Sequence, residues 1–172
     1  DRNQGSSSPS PVSLYRYHII RGTQTSASIS IQPNRIRVCG NASTANGTLV
    51  LGSNSTLSVG SATTPANVYI GLNTTGAASA TGLLDARQGS AVIRANEFNL
   101  GYAAASTGAA TGVLRWNRTT PIVANAFYLS RGVGSGTLDL ASGSTFNLNT
   151  SFLRLAYNDS NSAAGSALAN LN

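Results

Sequence analysis

Residues 136–148 read Gly136-Thr-Leu-Asp-Leu-Ala-Ser-Gly-Ser-Thr-Phe-Asn-Leu, and residues 47–57 read Gly47-Thr-Leu-Val-Leu-Gly-Ser-Asn-Ser-Thr-Leu. In both, a glycine opens a run in which apolar and polar residues alternate, and Gly, Ser and Asn close it. Alternation with period two marks a strand with one buried face. The same opening recurs as Gly82-Leu-Leu-Asp-Ala and Gly112-Val-Leu-Arg-Trp. By parity, Leu49 and Leu51, Leu84 and Ala86, Leu114 and Trp116, and Leu138 and Leu140 share the inward side. Trp116 then falls beside the small Ala86, so their volumes offset each other. Ten residues beyond each glycine stands another apolar residue, Leu57, Val92, Ile122 or Phe146, and the spacing predicts one column.

A second signal frames these runs. Asn34, Asn67, Asn96, Asn125 and Asn149 each open a short apolar stretch, at intervals of 33, 29, 29 and 24 residues. Alanine precedes three of them, at Ala66, Ala95 and Ala124. Each unit thus holds about three short strands joined by turn residues, and it cannot bury its apolar face alone. Stacking the units buries a continuous core, with parallel strands ~4.8 Å apart. The expected fold is therefore all-β, a β-solenoid (parallel β-helix) of about five coils over residues 34–172. The five asparagines are expected to form a corner ladder that hydrogen-bonds coil to coil.

The chain before Asn34 differs. Residues 1–12 are rich in Ser and Pro and read as a flexible tail. Residues 13–33 read as strands, either a cap on the first coil or an extension that joins subunits. Leu14, Tyr15, Tyr17, Ile19, Ile29 and Ile31 are the candidate assembly residues. At the other end, Ser151-Phe-Leu-Arg-Leu and the residues from Ser166 still look like solenoid strands, with no charged, Pro-bearing or helical cap expected after them. Open sheet edges there would favour end-to-end association.

Composition agrees with this picture. Of 172 residues only 9% are charged, all eleven basic residues are Arg, and the formal net charge is +6. The absence of Lys, with few Glu, argues against a helical protein. No apolar run approaches the ~20 residues of a membrane-spanning helix, and no signal peptide is recognisable. The arginines are dispersed from Arg2 to Arg154 without a phosphate-tracking cluster, so no nucleic-acid partner is expected. Acidic glycans or a cell surface remain candidate partners. Seven Asn-x-Ser/Thr sites, at Asn41, Asn46, Asn54, Asn73, Asn117, Asn149 and Asn158, also serve as turn chemistry.

The segments Asn67-Val-Tyr-Ile-Gly, Gly47-Thr-Leu-Val-Leu and Gly136-Thr-Leu-Asp-Leu resemble repeats of bacterial secreted β-solenoids. Similar segments occur in autotransporter passengers, filamentous-haemagglutinin-like adhesins and PEP-CTERM-associated repeat proteins. The resemblance covers about residues 34–155. It implies a right-handed parallel β-helix outside the cell, used in adhesion, matrix or filament formation, and it carries over no catalytic residue.

Chemistry-bearing residues are few. The third position after each strand glycine offers Val50, Asp85, Arg115 and Asp139, all outward by parity. Asp85 and Asp139 would then stand roughly 10 Å apart, close to the spacing of two carboxyls in an inverting glycosidase. An Arg115 between them instead makes an alternating charge ladder, because it holds both carboxylates ionised. With one His, His18, and one Cys, Cys39, the chain offers no zinc site or Cys–His pair. No catalytic residue, metal or cofactor is expected. The reading is a structural, self-assembling subunit. The alternative is a β-helix that binds or cleaves acidic polysaccharide at Asp85, Arg115 and Asp139.

Overall fold

The computed structural model describes residues 12–14, 17–20, 22–31, 35–40, 44–75, 78–104, 108–117, 120–142, 144–158 and 168–171. Among them most are strand, none is helical, and the strands form a parallel β-solenoid of about four turns. In chain order the strands are β1 (Val12–Leu14), β2 (Tyr17–Ile20), β3 (Gly22–Ile31), β4 (Arg35–Gly40) and β5 (Ala45–Val59). Then come β6 (Ala66–Asn73), β7 (Ala80–Asp85), β8 (Ser90–Ala103), β9 (Ala110–Trp116) and β10 (Ile122–Gly132). β11 (Ser135–Leu140), β12 (Leu148–Tyr157) and β13 (Leu168–Leu171) complete them.

Three sides result. Side one stacks β2, β4 and β6 with the second halves of β8, β10 and β12. Side two stacks the glycine strands: the start of β3, the start of β5, then β7, β9, β11 and β13. Side three holds β1, the ends of β3 and β5, and the first halves of β8, β10 and β12. From β4 onward the chain completes four turns through all three sides. The fifth expected coil is represented by the second half of β12 and by β13. β2 pairs with β4 and β3 with β5, so the N-terminal strands lie on the first coil in the solenoid's own parallel register.

The inward parity on side two holds: Leu49, Leu51, Leu84, Ala86, Leu114, Trp116 and Leu138 are all buried. Leu140 packs partly buried against this core. The Gly82, Gly112 and Gly136 strand openings have a steric reason. A Cβ on Gly112 would meet the backbone of Ile70, Leu100 and Gly101 on side one, so the two sides pinch together here.

The column expected ten residues beyond each glycine is not formed. The observed column on side three is Val59, Ile93, Ile122 and Leu148. Leu57 belongs to the neighbouring column, opposite Ala91, while Val92 points outward, 41% exposed. Phe146 lies before β12 and packs on the core from there. The corners between sides two and three differ in length, so no constant spacing survives. The buried Ala66, Ala95 and Ala124 align at the corner into side one, which explains the recurring Ala before Asn.

Candidate functional site

The asparagine ladder connects three residues. Asn96 donates from Nδ2 to Asn67 Oδ1 at 3.2 Å, and Asn125 donates likewise to Asn96 at 3.0 Å. Asn149 is out of register: it pairs with Val123, and Thr150 takes the place opposite Ala124. The shorter interval before Asn149 marks this slip. Asn34 lies outside the described residues, and its neighbour Arg35 pairs with Asn67.

The charge ladder on side two is in register, Val50 opposite Asp85, Asp85 opposite Arg115, and Arg115 opposite Asp139. Arg115 Nε reaches Asp139 at 3.1 Å and its Nη1 lies 3.8 Å from Asp85. Arg87, which the parity argument passed over, makes the closer contact with Asp85. Its Nε and Nη2 donate to the two carboxylate oxygens at 2.9 and 2.6 Å, and its backbone N–H adds a third bond. Burial pushes the Asp85 pKa up, but hydrogen bonds from Arg87 and the charges of Arg87 and Arg115 outweigh it and hold the pKa low. Asp85 is therefore ionised and has no proton to give at neutral pH. A cavity of about 410 Å³ lined by Val50, Leu51, Gly52, Asp85, Arg87 and Gln88 lies beside it.

Side one carries a layer that the sequence reading did not assemble. Opposed residues give one outward row of Arg37, Tyr69, Asn99, Tyr128 and Arg154. A second row holds Leu72, Tyr102, Arg131 and Tyr157. The Arg131 guanidinium sits 4.4 Å from the Tyr102 ring centre and 4.6 Å from that of Tyr128. It also donates to Glu97 at 3.0 Å. Arg154 lies 4.1 Å from the Tyr157 ring, and Arg35 lies 5.6 Å from that of Tyr69. Beneath this layer Asn99 is fully buried, its Oδ1 facing Arg131 at 3.5 Å. Burial first, and then the Glu97 charge, raise the Tyr69 pKa. Tyr69 and Tyr102 share this face, their rings stacked at 6.3 Å, whereas Trp116 is in the core. The signal the sequence reading missed for this layer is that a left-handed residue, Gly71 in β6 and Gly101 in β8, shifts side-chain parity within side one.

Among the described residues, several core positions of the last coil are left uncovered. Phe127, Leu129, Leu138, Phe146, Leu148, Leu153 and Leu155 line an entirely apolar cavity of about 250 Å³. Leu153 and Leu155, in the inward columns of Phe127 and Leu129, are 56% and 51% exposed. Among the described residues, β12 pairs only with β10 and β13 only with β11, so each keeps a free edge.

Of the candidate assembly residues, Leu14, Tyr17, Ile19, Ile29 and Ile31 lie in β1 to β3, and Tyr15 lies outside the described residues. Leu14 is opposite Ile31, and Ile29 and Ile31 are opposite Leu57 and Val59. Tyr17 and Ile19 are opposite Arg35 and Arg37. Cys39 is buried and donates from Sγ to the Ala45 carbonyl. Asn73, one of the Asn-x-Ser/Thr residues, is also buried, and its amide donates to the carbonyls of Ala78 and Ala109.

Among the described residues no three His, Cys, Asp or Glu side chains gather as metal ligands. No helix there is long and apolar enough to cross a membrane. The chain matches no protein-family model, no curated protein and no solved structure.

Proposed function

We propose that this chain is an extracellular structural protein, a β-solenoid subunit of a surface filament, fibre or adhesive matrix such as that of a biofilm. The observation that carries the reading is the uncovered last coil, where Leu153 and Leu155 stand half-exposed above an apolar cavity. Large exposed apolar surface beside free strand edges is a surface built for association. A second copy stacked head-to-tail would supply the next coil: among the described residues, β2 and β3 are the outermost strands of sides one and two at the other end. Its role is mechanical, a stiff rod of parallel strands with polar corners.

The alternative, a β-helix that cleaves acidic polysaccharide at Asp85, Arg115 and Asp139, draws less support. Arg87 and Arg115 hold Asp85 ionised, which denies it the part of general acid. Negative-stain microscopy of the full chain beside a variant lacking residues 1–33 tests the assembly reading. Filaments from the full chain that shorten or vanish on truncation support head-to-tail joining through the N-terminal strands. Dispersed particles from the full chain at every concentration overturn it.

A further inference from the structure

Charge is not spread evenly over the three sides. Among the described residues, side one bears Arg35, Arg37, Arg131 and Arg154 against the single carboxylate of Glu97. Side two balances Arg87 and Arg115 against Asp85 and Asp139. Among the described residues, side three bears only the exposed Arg94. Most of the positive charge described is therefore gathered on one sheet face, although the arginines are dispersed along the sequence.

We propose that side one is a docking face for a linear acidic polysaccharide, a polyuronate chain lying along the rod axis. The charge excess supplies the complementarity that steers and holds a polyanion. The shape is a line: Arg37 and Arg154 stand in one row, four strand spacings or roughly 19 Å apart. That length matches several monomers of an extended polymer rather than one small ion. The ring stacking fixes which groups face outward. Guanidinium groups cover the faces of Tyr69, Tyr102, Tyr128 and Tyr157, so those faces are not a platform for nucleobases. Tyr69 and Tyr128 are only 8% exposed, so neither ring is free to enter a lipid bilayer, and the large exposed apolar side chain on this face is Phe152 of the last coil. Guanidinium N–H and phenol O–H edges remain, the donors that carboxylates and sugar hydroxyls accept. Sandwiching between rings also orders the arginine side chains in advance, which lowers the entropic cost of binding.

The test is calorimetric titration of the full chain with polygalacturonate, with neutral dextran, a thymidine oligonucleotide and phosphatidylserine vesicles as competitors for the same face. The variants are Arg35→Gln/Arg154→Gln, Arg154→Gln alone, and Arg94→Gln as a charge-matched control on side three, each checked by its melting curve. The expected result is binding to polygalacturonate that falls with salt. The double variant weakens it on the order of tenfold, the single variant by less, and the control by less than about twofold. The single variant decides the matter should the double variant fail to fold. Absence of binding, equal loss in Arg94→Gln, or tighter binding to dextran, oligonucleotide or vesicles than to polygalacturonate overturns the proposal. The outcome is independent of whether the rods join end to end.

Discussion

Cys39 and Ser130 occupy one row on different coils, both at left-handed backbone angles, with φ of 67° and 73°. Gly71 and Gly101 stand between them in the same row, and Ala156 follows, all at positive φ. The Cys39 and Ser130 side chains each reach across the same corner of their own coil. Cys39 donates to the Ala45 carbonyl and Ser130 to that of Gly134, each at 2.7 Å. The corner between sides one and two is thus set by one backbone state repeated on every coil, and each occupant is small.

Gly101→Ala tests that corner. Its φ of 65° is costly for a residue with a Cβ, and the added carbon would collide with the Ser135 backbone. The expected loss is about 2–4 kcal/mol, read as a lowered urea midpoint. Gly52→Ala, whose new carbon meets only the Ser55 hydroxyl at 3.4 Å, should cost far less. Equal losses at the two glycines would refute the argument.

The asparagine ladder makes a paired prediction. Asn96→Leu removes the bonds to both Asn67 and Asn125 and should cost about 1–2 kcal/mol. Asn149→Leu, out of register, should leave the melting temperature unchanged within error. Thermal melts followed by circular dichroism compare the two, and an unshifted Asn96→Leu melt contradicts the ladder.

Acid should weaken the fold through Asp85. Its folded pKa lies below its unfolded value of about 3.9, because the Arg87 bonds and the arginine charges outweigh burial. Stability from this group is therefore complete above about pH 4 and is lost as pH falls toward the folded value. Asp85→Asn should be less stable than wild type at pH 7, with the difference narrowing below pH 4. A difference that widens on acidification would reverse the sign of this account.

Arg131 is held by geometry as much as by charge. Its guanidinium lies over two tyrosine rings while one of its nitrogens meets Glu97. Lysine keeps the charge but offers no planar face, so Arg131→Lys should cost about 1–2 kcal/mol. Chemical denaturation measures it, and a neutral result would show that the layer is held by the charge alone.

The fold was legible because alternation survives locally: Leu49, Leu84, Leu114 and Leu138 point inward on side two as parity requires. The side-two register was equally legible, since Gly47, Gly82, Gly112 and Gly136 align and carry Asp85, Arg115 and Asp139 with them. What fails is counting across corners. A fixed ten-residue spacing misplaces Val92, and the recurring Asn before an apolar stretch misplaces Asn149, because both leave their columns where turn length changes. The Tyr–Arg layer was hidden for a related reason. Arg35, Tyr69, Arg131 and Arg154 are far apart in sequence, and only the stacked register brings them onto one face.

The central claim is that the uncovered last coil joins subunits. Sedimentation velocity over a concentration series, on wild type and on Leu153→Glu/Leu155→Glu, tests it most directly. Both leucines are more than half exposed, so charge there should spare the fold and spoil only the stacking surface. The account predicts wild-type species that grow with concentration and a variant that stays monomeric with an unchanged melting curve. A wild type that remains monomeric throughout, or a variant that assembles equally well, contradicts it.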